Sequence, residues 1–96
     1  MDAKYAWSDE KDEVLRKERG FGFADVVAAI DTGFMLDDIA HPGAGFEHQR
    51  MMFVLIRGYT IAVPYVTDGK VKFLKTAYHN RQAHRRYMGR DSDGRS

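Results

Sequence analysis

The 96-residue chain contains no cysteine and only two prolines. Without cysteine it has no disulfide framework, no thiolate metal site and no thiol nucleophile. No apolar run approaches the roughly 18 residues that a membrane-spanning helix requires. The first four residues lead into no apolar stretch of the kind that a secretion signal contains. These absences predict a cytoplasmic protein that does not contact a membrane.

Charge is divided unevenly along the chain. Residues 1–48 carry five Lys/Arg and eleven Asp/Glu, a balance of −6, whereas residues 49–96 carry ten Lys/Arg and three Asp/Glu, a balance of +7. The net charge of +1 conceals this asymmetry. A basic half indicates a surface for an anionic ligand, and chance scatter of surface charge is the alternative interpretation.

Hydrophobic periodicity predicts a single α+β domain over residues 1–89, followed by a disordered polar tail over residues 90–96. The expected element order is β-α-α-β-β-β-β-α, with helices packed on a mostly antiparallel sheet. Apolar residues at helical spacing mark the second helix: Phe23, Val26, Val27 and Ile30. The strands are expected at residues 5–7, 34–39, 50–57, 59–66 and 71–77.

Capping residues set the expected ends of the first and last helices. Ser8 is expected to cap a helix that stops at Gly20, with Val14 and Leu15 as its apolar anchors. Asn80 is expected to cap a last helix over residues 81–88.

Two signals concern the connections within the sheet. Asp68 and Gly69 favour a type I′ hairpin turn. Pro64 cannot donate to a strand ladder, so a bulge or a strand break is expected near it.

The last helix carries the strongest chemical signal. Arg81, His84 and Arg85 are spaced to share one face, while Tyr87 can dock its ring elsewhere and offer its hydroxyl. The helix N-terminus beside two arginines would suit a phosphate group. The alternative is an ordinary solvated basic helix end.

Cleavage of RNA without a metal requires a base, an acid and a cation that stabilises the phosphorane-like transition state. Arg81 and Arg85 suit the cation, and the acid–base groups could come from Tyr87 or from histidine, which titrates near neutral pH. The sequence does not choose among His48, His79 and His84, each of which equally fits a surface or capping role. Further RNA-binding candidates are Lys75, His79, Arg50 and His48.

Histidine spacing argues against a metal site. Six residues separate His41 from His48, and His79 and His84 lie five positions apart, a poor ligand spacing on a helix. The chain also lacks a glycine-rich phosphate loop and a nucleophile elbow. We therefore expect no metal and no cofactor.

Several stretches between residues 5 and 89 together resemble the BrnT-like toxins, which are small RelE-like ribonuclease toxins of type II toxin–antitoxin modules. These stretches are Tyr5-Ala6-Trp7-Ser8, Glu18-Arg19-Gly20, Phe23-Ala24-Asp25-Val26-Val27, Leu36-Asp37-Asp38-Ile39-Ala40-His41-Pro42, Phe73-Leu74-Lys75-Thr76, and Arg81 with Ala83 through Arg85-Arg86-Tyr87-Met88-Gly89.

The resemblance implies a RelE-like domain that cleaves RNA and so inhibits translation. It also implies a cognate DNA-binding antitoxin that forms a hetero-oligomer with the toxin, covers its active face and represses the shared operon. Arg81, Arg85 and Tyr87 are the site residues that the matching last helix carries over. Many BrnT-like toxins have Lys-His-Gly where this chain has Glu18-Arg19-Gly20, so a histidine is replaced by Arg19, as in a sister group with Arg-Gly there.

Two alternatives use the same fold without catalysis. One is an RNA-binding module, and the other is a protein-interaction module whose basic face serves an acidic partner. For the toxin, we expect an acidic antitoxin segment to cover Lys75, Arg81 and Arg85, with Arg50 extending that surface if its strand lies beside that of Lys75.

Overall fold

The structure is a computed structural model that describes residues 4–89. The expected disordered tail over residues 90–96 lies outside the described residues. The elements in chain order are β1 (Lys4–Ala6), α1 (Asp9–Arg19), α2 (Phe23–Asp31), β2 (Met35–Ala40), β3 (Arg50–Ile56), β4 (Tyr59–Asp68), β5 (Val71–Leu74), β6 (Tyr78–His79), α3 (Arg81–His84) and a π-helical turn (Arg85–Gly89).

The strands form one sheet in the order β1-β5-β4-β3-β2, with β6 paired to β4. Only β1 and β5 pair in parallel, and every other pairing is antiparallel. The expectation of an α+β domain with a mostly antiparallel sheet is therefore confirmed. The short strand β6 was not expected. It forms because the chain after β5 returns to β4, where Tyr78 pairs with Ala62 and His79 with Ile61.

Helices cover both faces of the sheet. On one face α1 and α2 enclose the larger core, which consists of Leu15, Phe21, Phe23, Val26, Ala29, Met52, Val54, Ile61, Val63, Tyr65, Leu74 and Ala77. On the other face the C-terminal helix, meaning α3 together with the π-helical turn, packs Ala83 and Tyr87 against the smaller core of Met51, Phe53 and Ala62. Ala83 and Tyr87 therefore fix the C-terminal helix on the sheet face away from α1 and α2.

Local capping explains where the helices begin and end. Ser8 accepts a hydrogen bond from the Lys11 backbone N–H at 3.2 Å, and α1 ends at Gly20, whose φ of 81° is left-handed. Both predictions for α1 are thus confirmed. Leu15 is buried as expected, but Val14 is 43% exposed, so its prediction as an anchor was wrong.

Pro64 lies within an unbroken strand, contrary to expectation. The β3–β4 register continues past it, with Met51 opposite Pro64 and Arg50 opposite Tyr65. The break is in the facing strand: β5 ends at Leu74, and the Lys75 backbone N–H donates to the Pro64 carbonyl at 2.9 Å. Because backbone N and O of one residue point to the same strand edge, the missing proline donor faces this interrupted segment.

The two tight turns of the meander differ in type. Arg57 and Gly58 both have positive φ, at 50° and 81°, which is the type I′ pattern between β3 and β4. The next turn consists of Gly69 and Lys70 rather than the expected Asp68 and Gly69, and only Gly69 has a positive φ. This second turn therefore follows the type II′ pattern.

The last helix begins as expected and ends differently. Asn80 caps it by accepting a hydrogen bond from the Ala83 backbone N–H at 2.9 Å. The α-helical part stops at His84, and the remaining residues form the π-helical turn. Within residues 4–89, no helix is long and apolar enough to cross a membrane.

Candidate functional site

The C-terminal helix presents two different sides. Gln82, Ala83 and Arg86 line a groove beside the sheet. Arg81, His84 and Arg85 follow the three- and four-residue spacing of the other side, and Arg85 retains α-helical backbone angles. The predicted shared face of these three residues is therefore consistent with the helix geometry.

Four aromatic rings adjoin that second side, and we call them the ring cluster: Phe21, Tyr59, His79 and His84. The Tyr59 ring is stacked on His84 with centroids 4.1 Å apart and contacts His79 edge-on at 5.4 Å. His79 also contacts Phe21 at 5.5 Å. The structure thus brings two predicted histidines into contact with one tyrosine.

Hydrogen bonding fixes the orientation of His84. Its Nδ1 accepts from the Thr60 backbone N–H at 3.2 Å and lies 3.0 Å from the Thr60 hydroxyl, and Thr60 is fully buried. Because Nδ1 accepts a backbone proton, the ring proton of His84 is on Nε2. His84 can donate a hydrogen bond from Nε2, but in this form it cannot act as a base.

Three predicted groups around the ring cluster are exposed: Arg81, Arg85 and His79. Neither arginine has an ion-pair partner within residues 4–89. Both side chains carry a permanent positive charge, which suits an anionic ligand. The ring nitrogens of His79 make no hydrogen bond in the same part of the chain, and its ring contacts are those with Tyr59 and Phe21.

Tyr87 docks its ring as predicted, but its hydroxyl is already used. The ring lies 5.5 Å from that of Phe53, and the hydroxyl donates to Asp37 Oδ2 at 2.7 Å. Burial, then the bond to Asp37, raise the pKa of Tyr87. The same hydrogen bond, then one from the Asp38 backbone and the charge of Arg86, lower the pKa of Asp37. Tyr87 therefore acts in this structure as an anchor between the C-terminal helix and β2.

Arg50 belongs to a separate polar cluster. Its Nε donates to Asp38 Oδ1 at 3.0 Å and its Nη2 to the Asp38 carbonyl at 2.9 Å, while the Tyr65 hydroxyl donates to Asp38 Oδ2 at 2.7 Å. Strand β4 separates its strand from that of Lys75. Arg50 was expected to extend the surface of Lys75 only if their strands were neighbours, and they are not.

The remaining two candidates lie apart from these contacts. Lys75 is exposed, and its Nζ lies 5.6 Å from the centroid of the Phe73 ring. His48 is exposed in the loop between β2 and β3. No contact joins either residue to the ring cluster within residues 4–89. Their predicted role in RNA binding stays a prediction.

The groove on the other side of the C-terminal helix was not anticipated. It has a volume of about 420 Å³, and its lining residues are Ile39, His41, Pro42, Gly43, Met51, Phe53, Tyr78, Asn80, Gln82, Ala83 and Arg86. Burial raises the pKa of the Tyr78 hydroxyl. Sequence reasoning had considered His41 for metal binding and had judged its spacing poor. The one local sign of a second basic side of the C-terminal helix was Arg86, which directly follows Arg85.

The expected phosphate site at the helix N-terminus stays a prediction. Asn80 occupies the Ala83 N–H, so that backbone donor is not open to a phosphate. The exposed side chains of Arg81 and Arg85 are the other donors predicted for this end of the helix.

Residues 4–89 contain no group of three or more His, Asp or Glu side chains that could hold a metal ion. A search of known protein families, of curated proteins and of solved structures found no match to this chain.

Proposed function

We propose that this chain is a toxin of the BrnT-like, RelE-like kind that cleaves RNA without a metal. The observation that carries the proposal is the ring cluster with exposed Arg81 and Arg85 beside it. These side chains supply a donor, an acid–base group and cations at one end of the C-terminal helix. The basic balance of residues 49–96 favours a polyanionic ligand.

In the proposed reaction, His79 accepts the proton of a ribose 2′-hydroxyl. The 2′-oxygen forms a bond to phosphorus as the bond from phosphorus to the 5′-oxygen breaks. Water protonates the departing 5′-oxygen, and the hydroxide so formed takes the proton from His79, which restores both the water and the neutral histidine. Arg81, Arg85 and the Nε2–H of His84 stabilise the additional negative charge on the phosphoryl oxygens. The products have 2′,3′-cyclic phosphate and 5′-hydroxyl ends.

The position at which many BrnT-like toxins have a histidine adjoins this region. Arg19 is the last residue of α1, and Phe21, two residues later, contacts His79. The RelE-like topology belongs to the same proposal.

The proposed partner is a DNA-binding antitoxin. Its acidic segment covers Arg81 and Arg85, because neither arginine has an ion-pair partner within residues 4–89.

Cleavage of unlabelled single-stranded RNA by the purified chain in EDTA tests the proposal. Wild type should produce 2′,3′-cyclic phosphate ends, and both H79A and the double variant R81A/R85A should lose most of that activity. A control is Arg16→Ala on α1, which removes another exposed cation, one that pairs with Asp12, and should cleave normally. Equal cleavage by wild type and R81A/R85A would reject this site.

A second candidate function is RNA binding without cleavage. It is favoured by the hydrogen bonds that already occupy two predicted acid–base groups, His84 Nδ1 by Thr60 and the Tyr87 hydroxyl by Asp37. This function predicts salt-dependent RNA binding with no cyclic phosphate product. The same assay separates the two functions.

A further inference from the structure

We infer that the groove on the other side of the C-terminal helix is a binding site for one unpaired nucleobase of single-stranded RNA. This inference rests on the proposed function, because it takes RNA to be the ligand. It names single-stranded RNA as the substrate of that function. It also adds the groove residues, which are not part of the ring cluster, to the binding surface.

The wall of the groove supplies a flat surface. His41 lines it, and the His41 ring is stacked on Phe46 with centroids 4.7 Å apart and planes 28° apart. The Gly43 backbone N–H donates to His41 Nδ1 at 3.0 Å, which fixes the imidazole plane. With one face against Phe46, the imidazole leaves its other face to a planar group in the groove. Stacking on aromatic side chains is the usual way in which proteins hold unpaired bases.

Phe46 has no other evident role in the fold. Its side chain is 45% exposed, and it belongs to neither buried core. A phenylalanine that stays largely exposed to water forgoes part of the free energy that burying its ring would give. That arrangement suits a ring that supports the His41 stacking surface from behind.

The rest of the groove matches the remaining features of a nucleotide. Met51 and Phe53 provide an apolar floor. The exposed Gln82 amide offers both a donor and an acceptor to a base edge, and Asn80 has its amide nitrogen left after its oxygen binds the Ala83 N–H. Arg86 lines the same groove and can pair with a phosphate.

The geometry also favours a single strand over a duplex. A base within a duplex is stacked on both faces and paired along its edge, so it cannot also stack on His41 and contact Gln82. A strand crossing the C-terminal helix would place phosphates near Arg81 and Arg85 and one base in the groove on the other side. Binding of the base is therefore separable from cleavage at the ring cluster.

The test uses 2′-O-methyl RNA, which lacks the attacking hydroxyl and so reports binding alone. Fluorescence anisotropy at low salt compares a labelled single strand with the same strand in a duplex, for wild type, F46A, G43A and Q82A. The matched control is F34A, since Phe34 has a similar exposure of 49% and lies at the other groove, beside α2. In G43A the new Cβ would lie 3.1 Å from both His41 Cε1 and Phe46 Cδ2, which displaces the ring pair without removing it.

We expect the single strand to bind at least tenfold more tightly than the duplex. F46A and G43A should each weaken single-strand binding by about fivefold, the lower end of what one stacked base contributes, and F34A should bind as wild type does. Q82A should change the preference among homopolymers of A, C, G and U. Addition of adenosine monophosphate should shift the NMR signals of the His41 ring, and ribose 5-phosphate should not.

Equal affinity for duplex and single strand, or equal binding by F46A and F34A, would overturn the base site. If the wild type cleaves unmodified RNA under either of those results, the proposed function stands without it. If wild type binds the single strand with the expected dependence on Phe46 and cleaves nothing, the base site stands and the proposed catalysis fails. No RNA binding at low salt would reject both.

Discussion

Replacing Tyr65 by phenylalanine removes one buried hydroxyl and leaves the ring in place. That hydroxyl donates to Asp38 Oδ2 at 2.7 Å, in a residue that is 1% exposed. A hydrogen bond to a charged group contributes about 1.5–3 kcal/mol. Because the Asp38 side chain is 28% exposed, water can replace the lost donor in part. We therefore expect the free energy of unfolding to fall by about 1.5 kcal/mol.

Urea denaturation at neutral pH measures this loss, with an unchanged denaturant slope showing that the unfolded state is not altered. In a domain of this size it corresponds to a decrease in Tm of about 6–12 °C. Tyr59→Phe is the matched control, because the Tyr59 hydroxyl makes no hydrogen bond within residues 4–89. If the two variants lost the same stability, the bond to Asp38 would not stabilise the fold and the reasoning would be refuted.

The same variant makes a prediction at high pH. Burial, then the hydrogen bond to Asp38, raise the pKa of Tyr65 to about 12 from its usual 10.0. Between these two values the folded protein holds a proton that the unfolded chain has lost. Stability should therefore fall as pH rises through this window, and Y65F should lose that part of the slope.

Three further perturbations address the C-terminal helix. His84→Ala leaves the buried Thr60 N–H without its acceptor, so urea denaturation should show a loss of about 1–3 kcal/mol, whereas the exposed His79→Ala should lose under about 0.5 kcal/mol. The hydrogen bond from Tyr87 holds the pKa of Asp37 below its usual 3.8, so the stability that this carboxylate contributes is present above pH 3.8 and is lost as pH falls through the lowered value. Tyr87→Phe removes that bond, and thermal melts in acid should therefore depend less on pH in this variant. Arg81→Glu with Arg85→Glu should weaken binding of the antitoxin that the proposed function requires, in a salt-dependent manner, and unchanged affinity would place that proposed partner elsewhere.

Elements governed by neighbouring residues were predictable from the sequence. Ser8 and Asn80 cap their helices through residues three positions away, and Gly20 ends α1 because its own backbone is left-handed. The alternating strands likewise depend on residues two positions apart. Each of these features requires only local spacing, and local spacing is what a sequence shows directly.

Three of the errors have a common physical origin in contacts made across the sheet. The strand that contains Pro64 stays intact because the pairing is interrupted in the facing segment, after Leu74. The residues around Pro64 do not indicate where that facing segment ends. Arg50 was expected to extend the surface of Lys75 if their strands were neighbours, but β4 lies between the two. The groove was missed for the same reason: His41 and Arg86 meet there from segments 45 positions apart.

The rotation of the C-terminal helix about its axis decides which arginine belongs to which site. Each residue advances an α-helix by about 100°, so a rotation of that size would bring Arg85 to the side that Arg86 now occupies. Three contacts hold the observed rotation: Ala83 is buried on the sheet, His84 binds Thr60, and Tyr87 binds Asp37. Two of these partners lie 24 and 50 positions away in the sequence. A helical pattern of arginines can therefore predict a basic surface, but the proposed division between phosphate and base contacts depends on the bonds to Thr60 and Asp37.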